Sequence, residues 1–170
     1  MRYFNGFSLE GEEVFFQDIL LESDFSVAGF SYGAQLAFEY VYQNPSVRVD
    51  RLLLISPAFF QDQKPSFIRT QLRYFKADPK GYGEKFLENV RYPSRVSLRP
   101  YFRQGSYESL ASLLEYVWDP VKIQVLVDRG VIIEVFLGEA DKIVRSDRSL
   151  DFFKPLVTTY YRKGVGHLLV

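Results

Sequence analysis

Gly29-Phe30-Ser31-Tyr32-Gly33 is the stretch that decides how this chain folds. A short apolar run, Phe25 to Ala28, precedes it, and Leu36, Ala37, Tyr40 and Val41 follow at helical spacing. The serine therefore sits on a tight turn from strand to helix, the arrangement called a nucleophile elbow. Strand and helix approach closely there, which leaves little room for a Cβ at either glycine, and the hydroxyl is held at the apex. A serine used this way needs a base, and the chain has one imidazole, His167, in Gly164-Val165-Gly166-His167.

Working outward, 170 residues suit one domain with a real core, and 47% hydrophobic and 17% aromatic residues describe a folded chain. Lys plus Arg and Asp plus Glu both number 21, so there is no basic excess for nucleic-acid binding. The absence of cysteine removes disulfides, thiolate metal sites and cysteine nucleophiles together. A single histidine makes a histidine-based zinc site improbable, so neither metal nor cofactor is expected. The N-terminus lacks a signal-peptide pattern, and no apolar run reaches membrane-spanning length. The expectation is a cytoplasmic monomer with no membrane contact.

Residues 2–4 read as a short strand ending at Asn5-Gly6, and residues 11–22 as a helix with Val14, Phe15, Leu20 and Leu21 on its apolar face. Arg51 to Ser56 carries Leu52, Leu53, Leu54 and Ile55, a continuous run suited to a parallel strand covered on both faces. Residues 62–118 read as mostly helical, broken by Pro93 and Pro100. Asp119-Pro120 starts a short helix that Gly130 stops. Val131 to Leu137 and Thr158 to Arg162 are the last strands. This alternation predicts an α/β fold with residues 1–60 and 119–170 as core and 61–118 as a helical lid, one domain overall.

Three residues then fall just past strand ends, where α/β sheets place their active sites: Ser31, Asp141 in Leu137-Gly138-Glu139-Ala140-Asp141, and His167. The order serine, acid, histidine is that of the α/β-hydrolases. His167 would take the Ser31 proton during attack, and Asp141 would orient the imidazole and stabilise its cation. Asp128, Asp147 and Glu139 lie near enough in sequence to serve as the acid instead. An oxyanion needs two backbone N–H donors, expected from Tyr32, after the nucleophile, and from Phe7 in the loop after the first strand. From Gln61 to Gly105 there are ten Lys or Arg against four Asp or Glu, and Arg91, Arg95, Arg99 and Arg103 recur every fourth residue. They read either as a solvated lid surface or as a docking face for an acidic partner.

The chain resembles the pimeloyl-[acyl-carrier protein] methyl ester esterases of biotin synthesis, in particular the small BioV type. Phe4-Asn5-Gly6-Phe7, Gly29 to Ala34, Leu52-Leu53-Leu54-Ile55-Ser56-Pro57, Gly138 to Val144 and Gly166-His167 carry the resemblance. It implies a Ser31, Asp141, His167 triad that cleaves the methyl ester of pimeloyl-acyl carrier protein, releasing methanol. It also implies lid arginines that meet an acidic carrier bearing its acyl chain on phosphopantetheine. Larger relatives commonly have His-Gly where this chain has Asn5-Gly6. Relative to their usual strand order, the strands absent here all belong to one edge. A minimal α/β-hydrolase remains, with a contiguous, mostly parallel sheet of about five strands flanked by helices and the N-terminal strand at an exposed edge. Two rivals stand beside this expectation: an esterase or thioesterase for small molecules without a carrier, and a binding protein on a retired hydrolase fold.

Overall fold

The computed structural model describes residues 1–20 and 23–170. One sheet holds β1 (Arg2–Phe4), β2 (Ser26–Phe30), β3 (Arg51–Ile55), β4 (Ile132–Gly138) and β5 (Thr158–Arg162). The strands neighbour one another in chain order, and every pair is parallel. β1 forms one edge, where the sequence places it. Parallel neighbours require crossovers, and α1 (Tyr32–Gln43) supplies the one after β2, α6 (Ser146–Phe153) the one after β4. Between β3 and β4 run α2 (Pro65–Ala77), α3 (Pro79–Arg91), α4 (Tyr107–Glu115) and α5 (Pro120–Asp128).

The central strands are apolar throughout because both sheet faces are covered. Side chains alternate across a strand, so Leu52 and Leu54 pack with Phe38, Trp118, Ile123 and Phe153. Leu53 and Ile55 turn the other way, onto Phe16, Phe30, Val90 and Leu169. Burying each such side chain contributes about 1.5–3 kcal/mol. The helical segment is tied to the sheet by buried polar groups: Trp118 Nε1–H donates to the Ala58 carbonyl at 2.9 Å. The Gln35 amide donates to the carbonyls of Ala58 and Leu113 at 3.0 and 3.1 Å.

Two stretches differ from expectation. The helix expected over 11–22 is a 3-10 segment, Glu12–Phe16, and residues 21 and 22 lie outside the described residues. Gly11, at φ 80°, starts this segment, and its first carboxylate, Glu12, turns inward to the Gly6 N–H at 2.6 Å. A side chain committed to that contact turns its polar end inward, and Phe16 and Ile19 cover the sheet face from a shorter element. Helix α6 has no clear sequence signal: it is short, and Asp147, Arg148 and Asp151 dilute its apolar pattern, although Ser149 and Phe153 are buried.

Candidate active site

Close packing at the elbow explains both glycines. A Cβ on Gly29 would collide with the Gly33 carbonyl, and one on Gly33 with the carbonyls of Phe4 and Asn5. Between them Ser31 takes φ 55°, ψ −113°, a conformation that side chains rarely adopt and that costs on the order of 1–3 kcal/mol. The return is position: Ser31 Oγ projects from the carboxyl end of β2 toward the loop that follows β5.

There it meets His167, whose Nε2 lies 2.8 Å from Ser31 Oγ. On its other side His167 Nδ1 lies 2.6 Å from Asp141 Oδ2. A carboxylate only accepts, so Nδ1 carries the proton and Nε2 is left to accept from the serine hydroxyl. The second carboxylate oxygen, Asp141 Oδ1, accepts from the N–H groups of Ile143 and Val144 at 2.7 and 3.0 Å, which fixes its direction. All three side chains are buried. Of the acids near it in sequence, Glu139 Oε2 instead accepts from the Gly164 N–H at 3.1 Å, Asp128 accepts from Gln124, and Asp147 faces solvent beside Arg145 and Arg148.

The histidine loop is held from several sides. Ser56 Oγ donates to the His167 carbonyl at 2.6 Å, and the Phe30 ring packs 5.0 Å from the imidazole. A Cβ on Gly138 would strike the Gly166 carbonyl, and one on Gly166 the Tyr92 carbonyl. Those approaches bring the acid loop, the histidine loop and the end of α3 together. Leu168 and Leu169 are buried behind them. Ser56 is a positioning contact with no sequence signal beyond its place at a strand end.

Among the described residues, neither the Phe7 nor the Tyr32 backbone N–H has a hydrogen-bond acceptor. For Tyr32 this follows from its place in the first turn of α1, where N–H groups lack helical partners. The Phe7 loop is braced by the Gly6 N–H to Glu12 and by the Gly11 N–H to Asn5 Oδ1 at 3.2 Å. Tyr3 Oη donates to Glu12 Oε1 at 3.2 Å, while Oε2 is buried without a partner. Burial pushes the Glu12 carboxyl above its ordinary value and the Tyr3 phenol well above its own. An acid within an expected amphipathic helix gave no hint of this bracing role.

Ser31 opens into a cleft of about 460 Å³ lined by Phe60, Phe67, Phe86, Leu110, Leu113 and Leu114 among others. The four arginines divide. Arg91, Arg95 and Arg99 line a separate groove of about 410 Å³ with Lys80, Glu84 and Glu88. Arg103 instead pairs with Glu10, Nε to Oε2 at 2.7 Å. Helix α3 stands between groove and cleft, giving Lys80, Glu84, Leu87 and Arg91 to the one and Tyr82, Lys85, Phe86 and Asn89 to the other. Among the described residues no cluster of His, Cys, Asp or Glu is arranged to hold a metal, and no helix is long and apolar enough to cross a membrane.

No protein-family model matches the chain, and no curated protein matches it in sequence. Solved structures do match. Naproxen esterase (carboxylesterase NP) from Bacillus subtilis superposes with a TM-score of 0.59 at 19% identity, over 85% of this chain and 53% of that one. Bromoperoxidase from Bacillus anthracis gives 0.67 at 12% identity, over 85% and 60%. BioG from Haemophilus influenzae gives 0.62 at 12% identity, over 98% and 87%. The chain thus spans little more than half the length of the naproxen esterase, and most of BioG. At such identities the likeness is one of architecture: five parallel strands with flanking helices and these neighbours make this a minimal α/β-hydrolase fold.

Proposed function

We propose that the protein is a serine carboxylesterase that hydrolyses the methyl ester of pimeloyl-acyl carrier protein. The observation that carries the reading is the unbroken hydrogen-bonded chain from Ser31 through His167 to Asp141, opening on an apolar cleft. Ser31 Oγ attacks the ester carbonyl as His167 Nε2 takes its proton. The oxyanion of the tetrahedral intermediate accepts from the Phe7 and Tyr32 N–H groups. His167 then returns the proton to the departing methoxide, releasing methanol and leaving an acyl-Ser31. Water, deprotonated by the same imidazole, attacks the acyl group, and collapse gives the free carboxylate and restores the serine. Asp141 stays ionised throughout and holds the imidazolium.

The aromatic and leucine walls of the cleft suit a methylene chain. Residues 61–118 act as the lid in this reading, and the groove of Arg91, Arg95 and Arg99 suits the acidic carrier. The sequence resemblance supports the place in biotin synthesis, and the fold likeness to BioG over 98% of the chain supports the architecture that reading needs. Because that groove and the Ser31 cleft lie on different faces of α3, a small-ester substrate without a carrier is the second reading. Incubation with methyl-pimeloyl carrier protein, followed by mass, separates them. Demethylation by the parent protein and none by Ser31→Ala supports the proposal; an unchanged carrier alongside turnover of small esters favours the second reading.

A further inference from the structure

Among the described residues lining the cleft there is no carboxylate, yet there are two ammonium groups, Lys85 and Lys142. They stand on different walls. Lys85 belongs to the face of α3 that also presents Tyr82, Phe86 and Asn89, at spacings of three, four and seven residues. Lys142 lies in the loop after β4, between Asp141 and Ile143. Its Nζ sits 3.4 Å from the centroid of the Tyr92 ring, so the cation is held against the end of α3. It has no ion pair among the described residues, whereas Lys85 has only an exposed one, Nζ to Glu88 Oε2 at 2.9 Å. Exposed pairs of that kind hold little energy and exchange readily.

The rest of the lining divides by polarity. Phe60, Phe67, Leu110, Leu113 and Leu114 are apolar, while Gln71 and Asn89 offer amide donors and the Gln63 amide is committed to Asp62. Tyr82 Oη donates to Gln71 Oε1 at 3.0 Å, and burial pushes its phenol up to about 12, so it stays a neutral donor. Lys142 without an ion pair, and Lys85 with only the exposed Glu88 pair, give the cleft lining a positive character that no lining carboxylate offsets. An incoming anion can pair with Lys142 and draw Lys85 from its exposed partner, whereas a neutral acyl chain cannot.

We propose that Lys85 and Lys142 form an anion-recognising subsite, so that the preferred esters carry a carboxylate or phosphate elsewhere in the molecule, away from the scissile bond. This rests on the reading of Ser31 as the nucleophile, and it is separate from the arginine groove. A free carboxylate on a dicarboxylate monoester and the phosphate of a pantetheine arm share the required chemistry.

The test compares kcat/KM for p-nitrophenyl butyrate, monomethyl pimelate and methyl-pimeloyl pantetheine phosphate, in the parent protein and in Lys85→Gln, Lys142→Gln and the double variant. In the double variant the ratio of anionic to neutral ester turnover should fall about ten-fold or more, and high salt should erode the same ratio in the parent. The carboxylate and phosphate arms tell which anion is the better fit. A ratio that does not change in either arm overturns the subsite. Calorimetric binding of pimelate to Ser31→Ala protein gives a readout independent of catalysis. Binding that the two substitutions weaken supports the subsite even if no ester is turned over, in which case the esterase reading alone fails. Absence of binding together with an unchanged ratio rejects the subsite while leaving the esterase reading intact.

Discussion

His167 Nε2 lies 2.8 Å from Ser31 Oγ although 136 residues separate them in the chain. A single parallel sheet brings them together: Ser31 follows the carboxyl end of β2 and His167 comes in the loop after β5, and although β3 and β4 lie between those strands, all five present their carboxyl ends to one edge. Ser31→Ala should therefore lower kcat on an activated ester by a factor on the order of 10⁶. Urea denaturation of the same variant should show the fold retained. Turnover that survives the change would mean that another group is the nucleophile.

Asp141 fixes the imidazole tautomer through Nδ1, and two backbone N–H groups hold its other oxygen. Asp141→Asn should cost kcat roughly 10⁴-fold, since an amide presents the wrong partner to Nδ1–H. Asp147, exposed on α6, should tolerate the same change with little effect. Equal losses would move the acid's role away from Asp141.

The elbow leaves no space for a Cβ at Gly33, because the Phe4 and Asn5 carbonyls occupy it. Gly33→Ala forces backbone to move against backbone, so the loss of stability should reach roughly 3 kcal/mol or more in urea titration. A loss below about 0.5 kcal/mol, the range of ordinary surface substitutions, would contradict this packing.

Glu12 supplies a pH signature of stability. Burial raises its folded value above the ordinary 4.5, against the opposing pull of the Gly6 N–H and Tyr3 hydroxyl, while Glu13 nearby adds to the rise. A carboxyl raised in the folded state contributes stability fully below its unfolded value and loses it as pH climbs through the folded one. The stability of the parent relative to Glu12→Gln should therefore fall as pH rises above about 4.5. Denaturant midpoints measured across that range check it, and a difference that is flat or rises with pH would reverse the assignment.

The arginines separate by their partners. Arg91, Arg95 and Arg99 share a groove, whereas Arg103 is already paired with Glu10. Reversal of the three groove arginines to Glu should reduce turnover of methyl-pimeloyl carrier protein more than Arg103→Glu does. Kinetics with the carrier substrate decide between them, and equal effects would count against docking at the groove.

Backbone demands were the most legible part of the sequence. Gly29 and Gly33 announce the elbow because nothing larger fits, and Leu52 to Ile55 announce a strand covered on both sides. Residues at strand ends were legible for the same reason: a parallel sheet brings its carboxyl ends to one edge, and Ser31, Asp141 and His167 all lie there. Contacts made by side chains across the fold were not legible. Glu12 beneath the Phe7 loop, Ser56 on the His167 carbonyl and the meeting of Lys85 and Lys142 in one cleft lining depend on how separate elements pack, which no local pattern encodes. The 3-10 segment at Glu12–Phe16 illustrates the same limit, because a tertiary hydrogen bond overrides a helical pattern there.

Labelling with a fluorophosphonate probe, mapped by peptide mass, tests the central claim most directly, because only an activated serine attacks phosphorus at a useful rate. The account predicts one label, on Ser31, that disappears in His167→Ala. A label on another serine, or none on the folded parent protein, would contradict it.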